Sequence, residues 1–268
     1  MRPDTRSPWI WLPPLLSLVL VGLLAASAAN KALFVLLNQA GHALGDRLWL
    51  HLTMLGDGAV ALALVVPAIR RSPRIFWAAL IAAVFAVLWV QVLKQVVSVP
   101  RPLAVLPPAL FFHSGPAFRA VSFPSGHAAA SFAIAGIWIM ALPSRTALRA
   151  VLFVLAVLVS LSRVMVGVHW PLDILWGMLG GWLGAWVGLS LYARYQWKTA
   201  GAAGFMAGLL LLVVAAALLV SDHVRIPEVL PLQRALGAIC LGWGALEMFL
   251  MIPRMDLRRQ SKGELDGP

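Results

Sequence analysis

Runs of roughly twenty apolar residues, cut by short polar gaps, recur along the whole chain. In lipid every backbone N–H and C=O must find a partner within the protein, so only helices and closed barrels span a bilayer. These runs are continuous rather than alternating, which selects helices. Of the 268 residues, 61% are hydrophobic, well above the ~45–50% of a soluble domain. Eight spans are predicted, at residues 9–29, 51–69, 75–93, 125–142, 147–161, 171–192, 200–220 and 235–252. The fold class is therefore all-α, a polytopic helical membrane protein. The more polar stretch 30–50 is predicted to lie at the interface. Residues 1–7 are short and basic, and the long run after them is expected to be a retained first span.

Eight spans put both termini on one side. That side carries thirteen Lys and Arg: Arg2, Arg6, Arg70, Arg71, Arg74, Arg145, Arg149, Arg194, Lys198, Arg254, Arg258, Arg259 and Lys262. The other carries eight: Lys31, Arg47, Lys94, Arg101, Arg119, Arg163, Arg225 and Arg234. The positive-inside rule then places the termini in the cytoplasm. The net charge of +11 is expected to reflect this topology and anionic headgroups, with no nucleic-acid partner. A single cysteine, Cys240, excludes an intrachain disulfide or a cysteine metal site. Within the span at 171–192, the pairs Gly177/Gly181, Gly180/Gly184 and Gly184/Gly188 have small-xxx-small spacing, predicting close helix contact.

Against this background three polar clusters stand out, all on the non-cytoplasmic side. One is Lys94 with Arg101-Pro102. The second is Pro124-Ser125-Gly126-His127. The third is Ser162-Arg163 followed by His169 and Asp173. A charge at membrane depth costs about 2.5–3.5 kcal/mol on insertion scales, so such residues are functional candidates. His169 and Asp173 are four apart, and on a helix they would share a face. Asp173 would then orient one ring nitrogen and leave the other free. A buried ion pair that only fixes packing is the plain alternative. Lys94, Arg101 and Arg163, the Ser125 hydroxyl and free N–H groups at a helix start suit a tetrahedral anion. Carboxylates are too few for a metal cage, so neither metal nor cofactor is expected.

The three segments, Lys94-x6-Arg101-Pro102, Pro124-Ser125-Gly126-His127 and Ser162-Arg163-x5-His169-x3-Asp173, resemble the three-part signature of the type 2 phosphatidic acid phosphatase family, in order and without departure. The likeness runs over residues 49–192 and takes in Gly56-Asp57-Gly58. It implies a six-helix phosphatase fold, in which a first helix and interfacial segment (1–50) lead into the phosphatase core at 51–192. Two additional C-terminal transmembrane helices (193–252) and a cytoplasmic tail (253–268) would follow. It implies metal-independent hydrolysis of a lipid phosphate through a phosphohistidine. His169 would be the nucleophile, Asp173 its orienting partner and His127 the general acid. Lys94, Arg101, Ser125, Gly126 and Arg163 would hold the phosphoryl oxygens. The expected setting is a bacterial inner membrane with the site facing the periplasm. Undecaprenyl diphosphate, phosphatidylglycerol phosphate, phosphatidic acid and lipid A are candidate substrates.

A phosphotransferase using the same site, or a lipid-phosphate flippase, are the competing readings. Nothing in the sequence bears on oligomeric state. His42, His51, His113 and His223 lie outside the motifs and are expected at headgroup level. Asp57 is expected to cap or pack. Glu247, alone in an apolar run, is expected to pair within the protein or mark a second polar pocket.

Overall fold

The computed structural model describes residues 6–142 and 145–251. Twelve α-helices occur among them: α1 Pro8–Ala26, α2 Asn30–His42, α3 Asp46–Leu55, α4 Gly58–Ala63, α5 Ala68–Arg71, α6 Pro73–Val96, α7 Pro102–Val105, α8 Gly126–Ala141, α9 Thr146–Met165, α10 Pro171–Tyr195, α11 Ala202–Val220 and α12 Leu230–Phe249. The protein is a polytopic helical membrane protein. Six described helices are long and apolar enough to cross a bilayer: α1, α6, α9, α10, α11 and α12 with the turn before it. The apolar α8 is shorter, at 16 residues. The expected tail at 253–268 lies outside the described residues.

The span expected at 51–69 is not one helix. Asp57 breaks it, because its carboxylate accepts from the Ala59 and Val60 N–H groups (2.9 and 3.3 Å) and so caps a new helix, α4. Further on, Pro67 offers no N–H. The chain there tightens to i−3 bonds, such as Val65 N to Leu62 O and Val66 N to Ala63 O, before α5. The interfacial stretch at 30–50 is likewise two helices, α2 and the start of α3.

The centre of the bundle is α10, which packs on α1, α6, α8 and α9. Its glycines are the reason. A Cβ at Gly177 or Gly181 would strike the α8 backbone at Ser125 and Ala129, and one at Gly188 would strike α6 at Ala78. Gly180 and Gly184 meet Trp89 and Phe85 of α6 in the same way. The glycine stripe therefore sets interhelical distance, as its spacing predicts. On the opposite side α1 carries Pro13 and Pro14 inside the helix. Pro14 leaves the Ile10 carbonyl without its usual donor, and the buried Trp182 indole supplies one at 2.9 Å. Ser17 of α1 adds a bond to the Leu175 carbonyl at 2.7 Å.

The helices α11 and α12 pair with each other and with α4. At the end of α12, Glu247 is fully buried and takes Arg70 Nε and Arg71 Nε, both at 2.7 Å, and the Trp243 indole at 3.2 Å. Glu247 thus pairs within the protein, clamping α12 to α5. Removing one partner of a buried ion pair costs about 3–5 kcal/mol. Here Arg70 and Arg71 keep 25% and 57% of their side-chain exposure, so water screens part of that loss. Glu247→Gln is expected to destabilise by about 1–3 kcal/mol, read as a lower unfolding midpoint in detergent. An unchanged midpoint would mean the clamp adds no net stability.

Candidate active site

The end of α9 and the start of α10 build the polar cluster. Gly167, at φ +78°, turns the chain out of α9, and a side chain there would meet the Phe112 carbonyl. The Val168 and His169 N–H groups both donate to Arg163 O at 3.1 Å. Pro171 then opens α10 at a position that needs no donor. Asp173, in the first turn, reaches back, and its Oδ2 accepts from Trp170 N at 2.9 Å and lies 3.1 Å from His169 Nδ1. The expected His169–Asp173 pair forms, but not on a shared helix face. His169 lies before the helix, and the cap brings the two together.

A third member had no sequence signal. Ser122 Oγ donates to Asp173 Oδ2 and lies 3.2 Å from His169 Nδ1. It is fixed by its own N–H, which donates to Val99 O at 2.7 Å beside the Pro100–Val121 bridge. That bridge also holds Arg101, whose Nη1 donates to Val168 O at 3.0 Å and approaches His169 Nε2 at 3.4 Å. With Nδ1–H directed to a carboxylate, Nε2 carries the lone pair. Burial first, then the charges of Arg101, Arg163 and Lys94, hold the imidazole well below its ordinary value near 6.5. The ring is neutral at neutral pH.

Arg163 is 5% exposed and donates from Nη1 to Thr53 Oγ1 at 2.7 Å. Its Nε, like that of Arg101, is buried without a partner. Such orphan donors cost about 1–3 kcal/mol each, more when charged. Gly126 and His127 form the first turn of α8. Of the eight expected site residues, six line one cavity of about 420 Å³: Lys94, Arg101, Gly126, His127, Arg163 and His169.

Asp173 and Ser125 stand behind that wall. Ser125 is fully buried; its Oγ accepts from Ala128 N at 3.4 Å, and its N–H donates to the Asp173 carbonyl at 2.9 Å. The remaining wall was not foreseen. Asp57 caps α4, and the α11–α12 turn brings His223, Val224, Arg225 and Ile226. Four permanent cations therefore face one carboxylate. Among the described residues no three His, Cys, Asp or Glu side chains converge to hold a metal ion. The arrangement suits an anion beside a neutral, oriented imidazole.

The sequence model of the PAP2 superfamily matches residues 74–197, which contain all three motifs. Aquifex aeolicus LpxE, a solved structure, is 32% identical and superposes with a TM-score of 0.54 over 60% of this chain and 94% of that one. The chain belongs to the PAP2 superfamily. A second PAP2 structure, a transmembrane phosphatidylglycerolphosphate phosphatase from Bacillus subtilis, shares the fold. It is 20% identical, with a TM-score of 0.50 over 68% of this chain and 96% of that one. The undecaprenyl-diphosphatase of Sulfolobus acidocaldarius is 32% identical over 154 residues, covering 58% of this chain and 66% of that protein. Escherichia coli YbjG, a putative undecaprenyl-diphosphatase by name, is 40% identical over 80 residues, covering 30% and 37%. The chain thus matches just under two thirds and just over a third of these relatives' lengths. Both α11 and α12 lie beyond the PAP2 match.

Phosphate binding tests the cavity without turnover. Millimolar inorganic phosphate is expected to raise the unfolding midpoint in detergent, and Arg163→Ala is expected to abolish that rise. A ligand at about a hundred times its Kd stabilises by ~2.7 kcal/mol. An equal shift in the variant would place the anion elsewhere.

Proposed function

We propose that this protein is a lipid phosphate phosphatase working through a phosphohistidine, with the lipid diphosphate of a polyprenyl alcohol as its leading substrate. The observation that carries the reading is the His169 ring. It is buried, kept neutral, and held at Nδ1 by Asp173 and Ser122. Its Nε2 faces a cavity where Arg101 and Arg163 have orphan donors.

In this reading Lys94, Arg101 and Arg163 hold the equatorial phosphoryl oxygens, helped by the N–H of Gly126 at the α8 start. His169 Nε2 attacks phosphorus, and Asp173 stabilises the charge that the ring acquires. Ser125 serves by capping α8 rather than by touching the phosphate. The bond to the leaving oxygen breaks as His127 gives that oxygen a proton. His127, whose ring has no hydrogen-bond partner among the described residues, then accepts a proton from the water that attacks the phosphohistidine. Inorganic phosphate leaves and both imidazoles are restored. No metal has a part in this scheme.

A second, apolar slot of about 360 Å³ supports a lipid substrate. It lies among α4, α6 and α8, is lined by alanines with Leu62, Val87 and Val90, and ends at Gly126 and His127. Val87 is 57% exposed, so the slot opens on the lipid-facing surface. A prenyl or acyl chain there would bring its phosphate to the cavity. The names of the two undecaprenyl-diphosphatase relatives favour the prenyl substrate. The Lys and Arg bias favours the cell membrane of a bacterium, with the site on the periplasmic face. We take residues 51–192 as the phosphatase core and 193–252 as the added helical pair.

Phosphate release from a panel of lipid phosphates in detergent, with EDTA present, tests this directly. Wild type is expected to release phosphate, and His169→Ala to retain none above background. A variant matching wild type would end the phosphohistidine reading. Loss of lipid phosphate without free phosphate would identify transfer to a second lipid. The pH profile gives an independent check. The nucleophile must be neutral, and its lowered pKa keeps it so in mild acid. The acid limb of kcat/KM is therefore expected below pH 6.5. Arg101→Ala, which removes a cation from the ring, is expected to move that limb upward.

A further inference from the structure

We propose that the turn between α11 and α12 carries a second anion subsite, formed by His223 and Arg225, for the phosphate that remains on the lipid when a lipid diphosphate is cleaved. The proposal deepens the phosphatase reading and rests on it for the identity of the substrate.

Three cations, Lys94, Arg101 and Arg163, already serve one phosphoryl group. The same cavity is also walled by the turn, through His223, Val224, Arg225 and Ile226. The position of that wall follows from shared lining residues. Gly126 and His127 line both the cavity and the apolar slot, while Asp57 lines the cavity and its neighbour Gly58 the slot. The two spaces therefore meet between the start of α4 and the start of α8. His223 Nε2 lies 3.2 Å from Asp57 Oδ1, at that junction. Arg225 lines the cavity two residues on. A phosphate lying between the transferred phosphoryl group and the lipid tail occupies this junction.

The turn has a fixed shape. Gln233 is fully buried, accepts from Val224 N at 3.1 Å and donates to the Leu218 and Ser221 carbonyls, both at 2.8 Å. Ile226 and Val229 are buried beneath it. Asp222 accepts from Arg225 N at 3.0 Å. Arg225 has φ +58°, a conformation that favours Gly or Asn. An arginine is not what the backbone asks for here. Among the described residues its guanidinium has no carboxylate partner. Asp57 has its Oδ1 occupied by two N–H groups and His223, which offsets its repulsion of an anion.

In the reaction, His169 Nε2 bonds to the terminal phosphorus. The bond from that phosphorus to the bridging oxygen breaks, and the oxygen keeps the electron pair and takes the His127 proton. The product is a lipid monophosphate whose phosphate lies against His223 and Arg225.

Two measurements on full-length protein test this. Arg225→Gly suits the backbone of the turn, and Arg225→Lys restores a cation. The first measurement is binding, by unfolding midpoint, of methylenediphosphonate against inorganic phosphate. Wild type is expected to gain more from the diphosphonate, Arg225→Gly to lose that excess, and Arg225→Lys to recover part of it. The second is kcat/KM for a prenyl diphosphate relative to the monophosphate of the same alcohol. Arg225→Gly is expected to lower that ratio by roughly ten- to a hundredfold. An excess that survives Arg225→Gly, or a loss equal on both lipids, would overturn the subsite. If wild type released phosphate from neither lipid, the phosphatase reading would fail, and the binding measurement would still decide the subsite.

Discussion

The Asp173 residue ties the three motif segments together. Its Oδ2 gathers Trp170 N, His169 Nδ1 and the Ser122 hydroxyl, while its carbonyl receives Ser125 N. The carboxylate therefore starts α10, sets the tautomer of His169 and anchors the strand-like segment that carries Arg101. The carbonyl fixes where α8 begins. One turn further on, Gly177 lets the Ser125 carbonyl come against α10, where any Cβ would collide. A carboxylate buried at 1% exposure needs such company, because an uncompensated buried charge is far more expensive than a shared one.

The two ends of the bundle treat positive charge in opposite ways. Around Glu247, two arginines and an indole share one carboxylate, and the cluster is satisfied. Around His169, four cations line a cavity whose described lining holds one carboxylate, Asp57, with Asp173 behind the wall, and two guanidinium Nε donors have no acceptor. Both clusters hold arginines near membrane depth. The first is closed, which is how a structural clamp behaves. The second is left short of negative charge, which is how a site waiting for an anion behaves.

Much of this was legible in the residues. The long apolar runs gave α1, α6, α9, α10, α11 and α12 within a few positions, since hydrophobic length alone decides whether a helix spans. The glycine spacing in α10 announced close helix contact, and the structure shows the partners to be α6 and α8. The 51–69 run misled because its apolar content hides the breaks: Asp57, expected to cap or pack, caps a new helix inside the run, and Pro67 interrupts it again. Ser122 and Thr53 were invisible. Neither has a motif spacing, and each matters only because the fold brings it within 3.2 Å of His169 or Arg163. Ser125 was read as a ligand on its chemistry, and the structure adds that its Oγ caps α8. His223 and Arg225 are some fifty residues beyond the last motif, and only tertiary packing carries the turn to the cavity.

The Gln233-braced turn also bears on order of assembly. Every residue of the three motifs precedes α11, so the helices around His169 are translated, and their core contacts available, before the turn exists. Chains insert from the N-terminus onward. The cavity therefore begins as an open bowl and gains its last wall when α11 and α12 settle against α4, with Glu247 closing on Arg70 and Arg71 at the opposite end. In this chain the three motif segments are laid down early, and the wall that the α11–α12 turn adds to their cavity is laid down late.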